Sequence, residues 1–220
     1  MALSDNSHEP FDPLAVENIG VTLAVELLEQ PVAAVPPEEV FRGPGIYTLY
    51  YTGNHEAYQS LQALDAGRFI FPVYVGRALR RNARQGFSPT PSTASELRSR
   101  IGTHARSIEQ AANLEVTDFK CRYLVLQDAY IALAESILIM AFRPPWNGMG
   151  IGSNAVGGPR MAGLASLWDS LHPGRGGRPA GLEDRAREAF DKIRETAAQL
   201  IDPPLDPVSR RIYDKIMRFV

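Results

Sequence analysis

A single cysteine, Cys121, rules out a disulfide framework and a cysteine-built metal cluster in this 220-residue chain. Set in the strand-like stretch DFKCRYLVLQ, it reads as core filler. No apolar run reaches the roughly eighteen residues that a membrane span requires, and the opening MALSDNSHEPFDPL has no basic flank leading into an apolar stretch. A soluble, unexported, cytoplasmic protein is expected. The compact signatures of several enzyme classes are missing too: there is no HExxH, no Walker-type glycine loop, no GxSxG and no set of His and Cys at zinc spacing. Of the four histidines, His8, His55 and His172 fall in predicted loops. The first 41 residues contain no Lys or Arg, yet carry Asp5, Glu9, Asp12, Glu17, Glu26, Glu29, Glu38 and Glu39. These eight come off a chain total of 25 acidic residues, so 17 remain against 23 basic ones downstream, although the whole chain has a formal charge of −2. The downstream part is therefore suited to a polyanion and the arm is not.

What is present starts with core material, at 45% hydrophobic residues, enough for one substantial unit with appended ends. The composition divides the chain into an acidic N-terminal arm over 1–42, a core over 43–150 with an insertion at 53–69, and a glycine-rich loop with a C-terminal helical extension over 151–220 packed on the core. In the arm, VENIGVTLAVELLEQ has helical spacing, with Val16, Ile19, Leu23, Leu27 and Leu28 on one side. GIYTLYY reads as a strand, TGN as a turn, EAYQSLQALDAG as a short helix and FPVYVG as a second strand pairing antiparallel with the first. After an arginine-rich loop, Thr93-x-x-Glu96 forms a capping-box pattern for a helix with Leu97, Ile101, Ala105 and Ile108 inward. A third strand, DFKCRYLVL, precedes the helix DAYIALAESILIMAF, which Pro144-Pro145 stops. Residues 147–178 read as a glycine-rich surface segment, and two further helices, LEDRAREAFDKIRETAAQLI and VSRRIYDKIMRFV, end the chain.

Glu135 is the most informative single residue. Its helical neighbours Ile131, Ala132, Leu138 and Ile139 are apolar, and none offers a cation three or four positions away. A buried carboxylate without a partner would be protonated or would destabilise the fold, so a metal ion, a distant arginine or an opening to solvent must compensate it. Tyr47 and Tyr74 each border a glycine in strands expected to pair, so both phenols can emerge on one side of a small sheet; ordinary strand aromatics are the alternative. Arg100 and His104 lie four apart on one flank of their helix. An arginine fork suits a phosphodiester, and a histidine can accept a proton from an activated phenol. Arg77, Arg80, Arg81 and Arg84, joined by Arg98 and Arg106, make the strongest basic stretch, with Arg160 further on; a solvated arginine-rich loop is the plainer alternative.

Taken in order, these elements resemble the GIY-YIG nuclease superfamily over about residues 43–150. The first tripeptide stands unchanged as Gly45-Ile46-Tyr47, and the second is Tyr74-Val75-Gly76, with valine for isoleucine. Arg100 matches the family's helix arginine, Glu135 its metal-binding glutamate, and Asn147 in PPWNG the asparagine that follows that helix in many members. The long gap between the tripeptides, the Arg-x-x-x-His pairing and the segment SLWDSLHPGRG look most like the type II restriction endonucleases of the superfamily that cut GC-rich palindromes such as CCGCGG.

The resemblance implies an α+β fold, with a small antiparallel three-stranded sheet flanked by helices and helical extensions at both ends. It also implies a homodimer that hydrolyses double-stranded DNA with one Mg²⁺ per site, for which Mn²⁺ can substitute. In such a site Glu135 would hold the metal and Tyr47 would accept the proton of the attacking water, with His104 drawing it onward or the two exchanging roles. Arg100 would clamp the scissile phosphate, Tyr74 would fix water or phosphate, and Asn147 would support the site. Arg77, Arg80, Arg81, Arg84 and Arg160 would contact DNA. A restriction enzyme also implies a cognate DNA methyltransferase in the host, not a stable subunit. The alternatives are a homing or repair-type nuclease of the same superfamily acting on branched DNA, and a DNA-binding protein that keeps the fold without catalysis.

Overall fold

Residues 12–81, 90–151 and 164–220 are described by a computed structural model. The sheet is antiparallel throughout, in the order β1-β4-β2-β3, formed by β1 (Ala33–Ala34), β2 (Gly45–Tyr51), β3 (Tyr74–Ala78) and β4 (Phe119–Val125). It has four strands rather than three, because two residues of the N-terminal arm pair with Cys121 and Lys120 on the outer side of β4. Prolines at 31 and 36 flank this short stretch and favour extended backbone around it.

The central strand β2 is buried along its whole length, with no alternation of exposure, because helices cover both faces of the sheet. On one face lies α3 (Glu96–Glu109), whose Leu97, Ile101, Ala105 and Ile108 are buried together with His104. The predicted capping box does not form: Ser95 occupies the N-cap without a side-chain bond, and Glu96 instead accepts a 2.7 Å hydrogen bond from the Ser92 hydroxyl. On the other face lie α1 (Val16–Glu29) and α4 (Asp128–Phe142), which pack against each other and against the sheet. The buried stripe of α1 runs through Gly20, Ala24, Leu27 and Leu28 rather than through Val16, which is 61% exposed. Gly20 sets this rotation, since a Cβ there would stand 2.6 Å from Ile137 Cγ1 of α4. A left-handed Arg143 ends α4 immediately before Pro144.

The insertion forms a 3₁₀ turn (Glu56–Tyr58) and α2 (Gln59–Asp65), and the Asp65 carboxylate accepts from the backbone N–H of Phe69, Ile70 and Phe71 to return the chain to β3. Arg122, on the back face of β4, ties the ends of two segments together by donating to the carbonyls of Gln30 and Phe69. The chain ends in α5 (Leu167–Leu171), α6 (Glu183–Gln199) and α7 (Pro207–Met217). The predicted surface segment 147–178 is buried in part where it is described: Met149, Ile151, Trp168 and His172 are buried, whereas Gly148, Leu164 and Gly176 are exposed. No helix among the described residues is long and apolar enough to cross a membrane.

Candidate active site

Gly45 and Gly76 explain the two tripeptides. A Cβ on Gly45 would collide with the Leu124 carbonyl of β4, so the central strand can hold its partner closely only without a side chain at that point. Gly76 lies directly opposite Tyr47, and a Cβ there would stand 2.5 Å from the Tyr47 hydroxyl and 2.6 Å from Tyr74 Cε1. The glycine thus makes the floor on which both tyrosine rings rest.

The register places Tyr47 opposite Gly76 and Tyr74 opposite Leu49, so the two phenols share one face as diagonal neighbours, with ring centroids 6.0 Å apart. From α3, His104 closes the group, its ring 5.7 Å from that of Tyr47 and 4.7 Å from that of Tyr74. Arg100 stands one turn earlier on the same helix, close enough to both tyrosines for its guanidinium to oppose the rise in their pKa values. Glu135 comes from the opposite face of the sheet, around the edge strand β3. It is half-buried, and its charge is felt at Tyr74. The site therefore straddles the open edge of the sheet.

Asn147 seals that edge. Its side-chain oxygen accepts from the Val75 N–H at 3.0 Å and its amide donates to the Val75 carbonyl at 2.9 Å, as a neighbouring strand would do. One side chain thereby fixes the strand that carries Tyr74 and prevents an unpaired strand edge beside the site.

The electrostatics are those of a buried but unfinished polar cluster. Burial pushes the Tyr47 phenol well above its ordinary value, with Tyr74 adding to the effect and Arg100 opposing it. Burial, reinforced by Arg100 and Arg175, lowers His104 to about 3, so the imidazole is neutral at physiological pH. The Tyr47 hydroxyl is buried within reach of Tyr74 and Arg100, while both ring nitrogens of His104 are buried without a hydrogen-bond partner among the described residues. Native interiors rarely leave both nitrogens of a buried imidazole unpaired. Desolvation raises the pKa of Glu135, against Arg77 and Arg100, which both favour its charged form.

Glu135 is not partnerless: Arg77 Nε lies 3.1 Å from its Oε2. No group of three or more His, Cys, Asp or Glu side chains is arranged to hold a metal among the described residues. A single hard carboxylate fits a magnesium-like cation, which keeps most of its water and takes further ligands from phosphate; it does not fit zinc. Among the other predicted arginines, Arg80 is held by Asp128 at 3.1 Å and by the Thr90 carbonyl at 2.6 Å, while Arg81 is exposed. Arg84 and Arg160 lie outside the described residues. The pairing of Arg77 with Glu135 had no signal in a helical reading, because the partner comes from the adjacent strand. A buried ion pair of Arg175 with Asp169, at 2.6 Å and with Arg175 stacked 4.6 Å from the Trp168 ring, was equally invisible.

Compared with known protein families, residues 39–199 match the Eco29kI GIY-YIG domain. No curated protein matches the chain.

Proposed function

The chain belongs to the Eco29kI GIY-YIG restriction endonuclease family and so to the site-specific DNA nucleases; from that premise we propose a type II restriction endonuclease that cuts both strands of a GC-rich palindrome. It acts as a homodimer in the cytoplasm of a prokaryotic cell, because a palindrome presents the same phosphate twice about a twofold axis and each subunit carries one site. The observation that carries this reading is the cluster of Tyr47, Tyr74 and His104 on one face of the sheet, with Arg100 beside both tyrosines and Glu135 within electrostatic reach of Tyr74.

In the proposed reaction, Arg100 clamps the scissile phosphate and neutralises charge that builds on it as water attacks in line. Tyr47 takes the proton of that water. Because its phenol is held above its ordinary pKa, Tyr47 passes its own proton on in the same event, and the neutral His104 is the acceptor. The phosphodiester anion raises the imidazole's proton affinity from its depressed value as it enters. Tyr74 fixes the position of water or phosphate over Gly76. Asn147 holds β3, and with it Tyr74, against displacement. Glu135 would hold a Mg²⁺, or Mn²⁺ in its place, which would supply Lewis-acid stabilisation of the leaving 3′ oxygen. Arg77, Arg80, Arg81, Arg84 and Arg160 contact the DNA, those that reach base edges pairing with guanine.

The test is digestion of unmethylated plasmid and phage DNA by the purified chain, with Mg²⁺ or with chelator. Discrete, metal-dependent fragments are expected, and their mapped ends give the recognition site. Failure to cut any duplex while cutting branched DNA would replace the reading with a repair-type activity.

A further inference from the structure

The carboxylate at the heart of the site is already spoken for. Glu135 is paired with Arg77 at 3.1 Å, and Arg100 exerts a second positive field on the same group. One carboxylate between two guanidinium groups gives this cluster a net charge of +1. A divalent cation arriving with Arg77 still in place would raise it to +3, and two cations at hydrogen-bonding distance on one carboxylate repel each other strongly. The geometry offers a way out. The Arg77 side chain is 39% exposed against 20% for Glu135, and it follows Gly76 on the edge strand, so its head can leave toward solvent while its stem stays on the protein.

We propose that Arg77 is the counter-ion that reserves Glu135: it holds the carboxylate while the site is free of DNA, gives it up to a divalent cation, and turns its guanidinium onto a phosphate of the bound DNA. The proposal rests on the reading of Glu135 as the metal's carboxylate. Its consequence is coupling. The cation must displace Arg77 at its own cost when DNA is absent, whereas DNA supplies the anion that Arg77 moves to, so each ligand favours the other by the same factor. The neighbouring pair of Arg80 with Asp128, two turns earlier on α4, provides an internal control. It has the same charges and the same 3.1 Å separation, and Arg80 is further anchored on Thr90.

Mn²⁺ binding to the DNA-free protein, followed by loss of the free-ion electron paramagnetic resonance signal, tests this directly. Arg77→Gln is expected to bind Mn²⁺ about threefold to tenfold more tightly than the wild type, the range set by a partly exposed charge pair. Arg80→Gln, with the same change in net charge, is expected to match the wild type. Equal or weaker binding by Arg77→Gln, or an equal gain in Arg80→Gln, would overturn the proposal. Should Arg77→Gln not fold, Arg77→Lys keeps the charge but loses the fork; it must show a smaller gain, and the absence of any gain overturns the proposal as well. Glu135→Gln separates the two layers of the argument. Loss of Mn²⁺ binding there, with no gain in Arg77→Gln, sinks the counter-ion role and leaves the metal assignment standing. Mn²⁺ binding untouched by Glu135→Gln sinks both.

Discussion

Two tyrosine–histidine pairs lie buried in this protein, and they differ in what surrounds them. Tyr58 and His172 are both fully buried, their rings nearly parallel, with Tyr58 Oη 2.6 Å from His172 Nε2. Trp146 Nε1 donates to Tyr58 Oη at 2.7 Å, and His172 Nδ1 meets Asn113 Oδ1 at 2.9 Å. Asn113 donates to the Leu171 carbonyl, which orients its amide oxygen toward the ring; His172 therefore carries its proton on Nδ1 and accepts from Tyr58 at Nε2. Every polar atom in that group has a partner. Tyr47 and His104 are also buried, yet both ring nitrogens of His104 have none among the described residues, and the Tyr47 phenol lies beside Tyr74 and Arg100. Residue type and burial are the same in both places. Hydrogen-bond satisfaction of the imidazole separates the pair that holds the fold from the pair proposed to do chemistry.

The largest effect expected is at the carboxylate. Glu135→Gln should lower plasmid cleavage by about 10³-fold or more while the thermal unfolding midpoint stays near that of the wild type. Wild-type cleavage rates in this variant would overturn the proposed metal-binding role of Glu135. In the structural pair, Tyr58→Phe strips Trp146 and His172 of their common partner and should cost about 2 to 4 kcal/mol in urea unfolding, with cleavage per folded molecule unchanged. A loss of cleavage without a loss of stability would erase the distinction drawn between the two pairs. Asn147→Ala releases both hydrogen bonds on Val75 and should reduce cleavage about 10- to 100-fold, by loosening Tyr74 rather than by removing a reacting group.

A smaller effect follows from pH. His104 titrates at about 3 in the folded protein against an ordinary 6.5. The unfolded chain binds the proton first, so the stability contributed by the neutral ring is complete above the ordinary value and declines as pH falls toward the folded one. Unfolding midpoints measured between pH 7 and 5 should fall for the wild type and fall less for His104→Phe, in which His172 and His55, also depressed by burial, still contribute. Identical slopes would show that His104 is not held neutral.

The sequence made some of this visible for physical reasons. Glycine beside tyrosine in two strands announces close approach, and Gly76 does lie against both rings. The 3.6-residue spacing of α3 put Arg100 and His104 on one flank, and the apolar run of α4 left Glu135 exposed as an anomaly. Periodicity could not reveal β1, which is two residues long, nor the rotation of α1, which is set by a glycine fitting Ile137 rather than by its larger side chains. The burial around Trp168 is not legible in the sequence because the segment has the composition of a loop. Its burial depends on Arg175 finding Asp169 and the Trp168 ring, contacts that no local pattern encodes. Arg77 belongs with these, since a strand residue meeting a helix residue leaves no trace in either repeat.

The most direct measurement combines the unfolding midpoint of Tyr47→Phe with its single-turnover cleavage of DNA containing the mapped site. The Tyr47 hydroxyl lies beside Tyr74 and Arg100, whereas Tyr58 joins Trp146 to His172, so the variant should lose less stability than Tyr58→Phe, while cleavage falls by about 10² to 10⁴. A variant that loses stability as Tyr58→Phe does, or that cuts at the wild-type rate, would contradict the assignment of Tyr47 and His104 as the reacting pair.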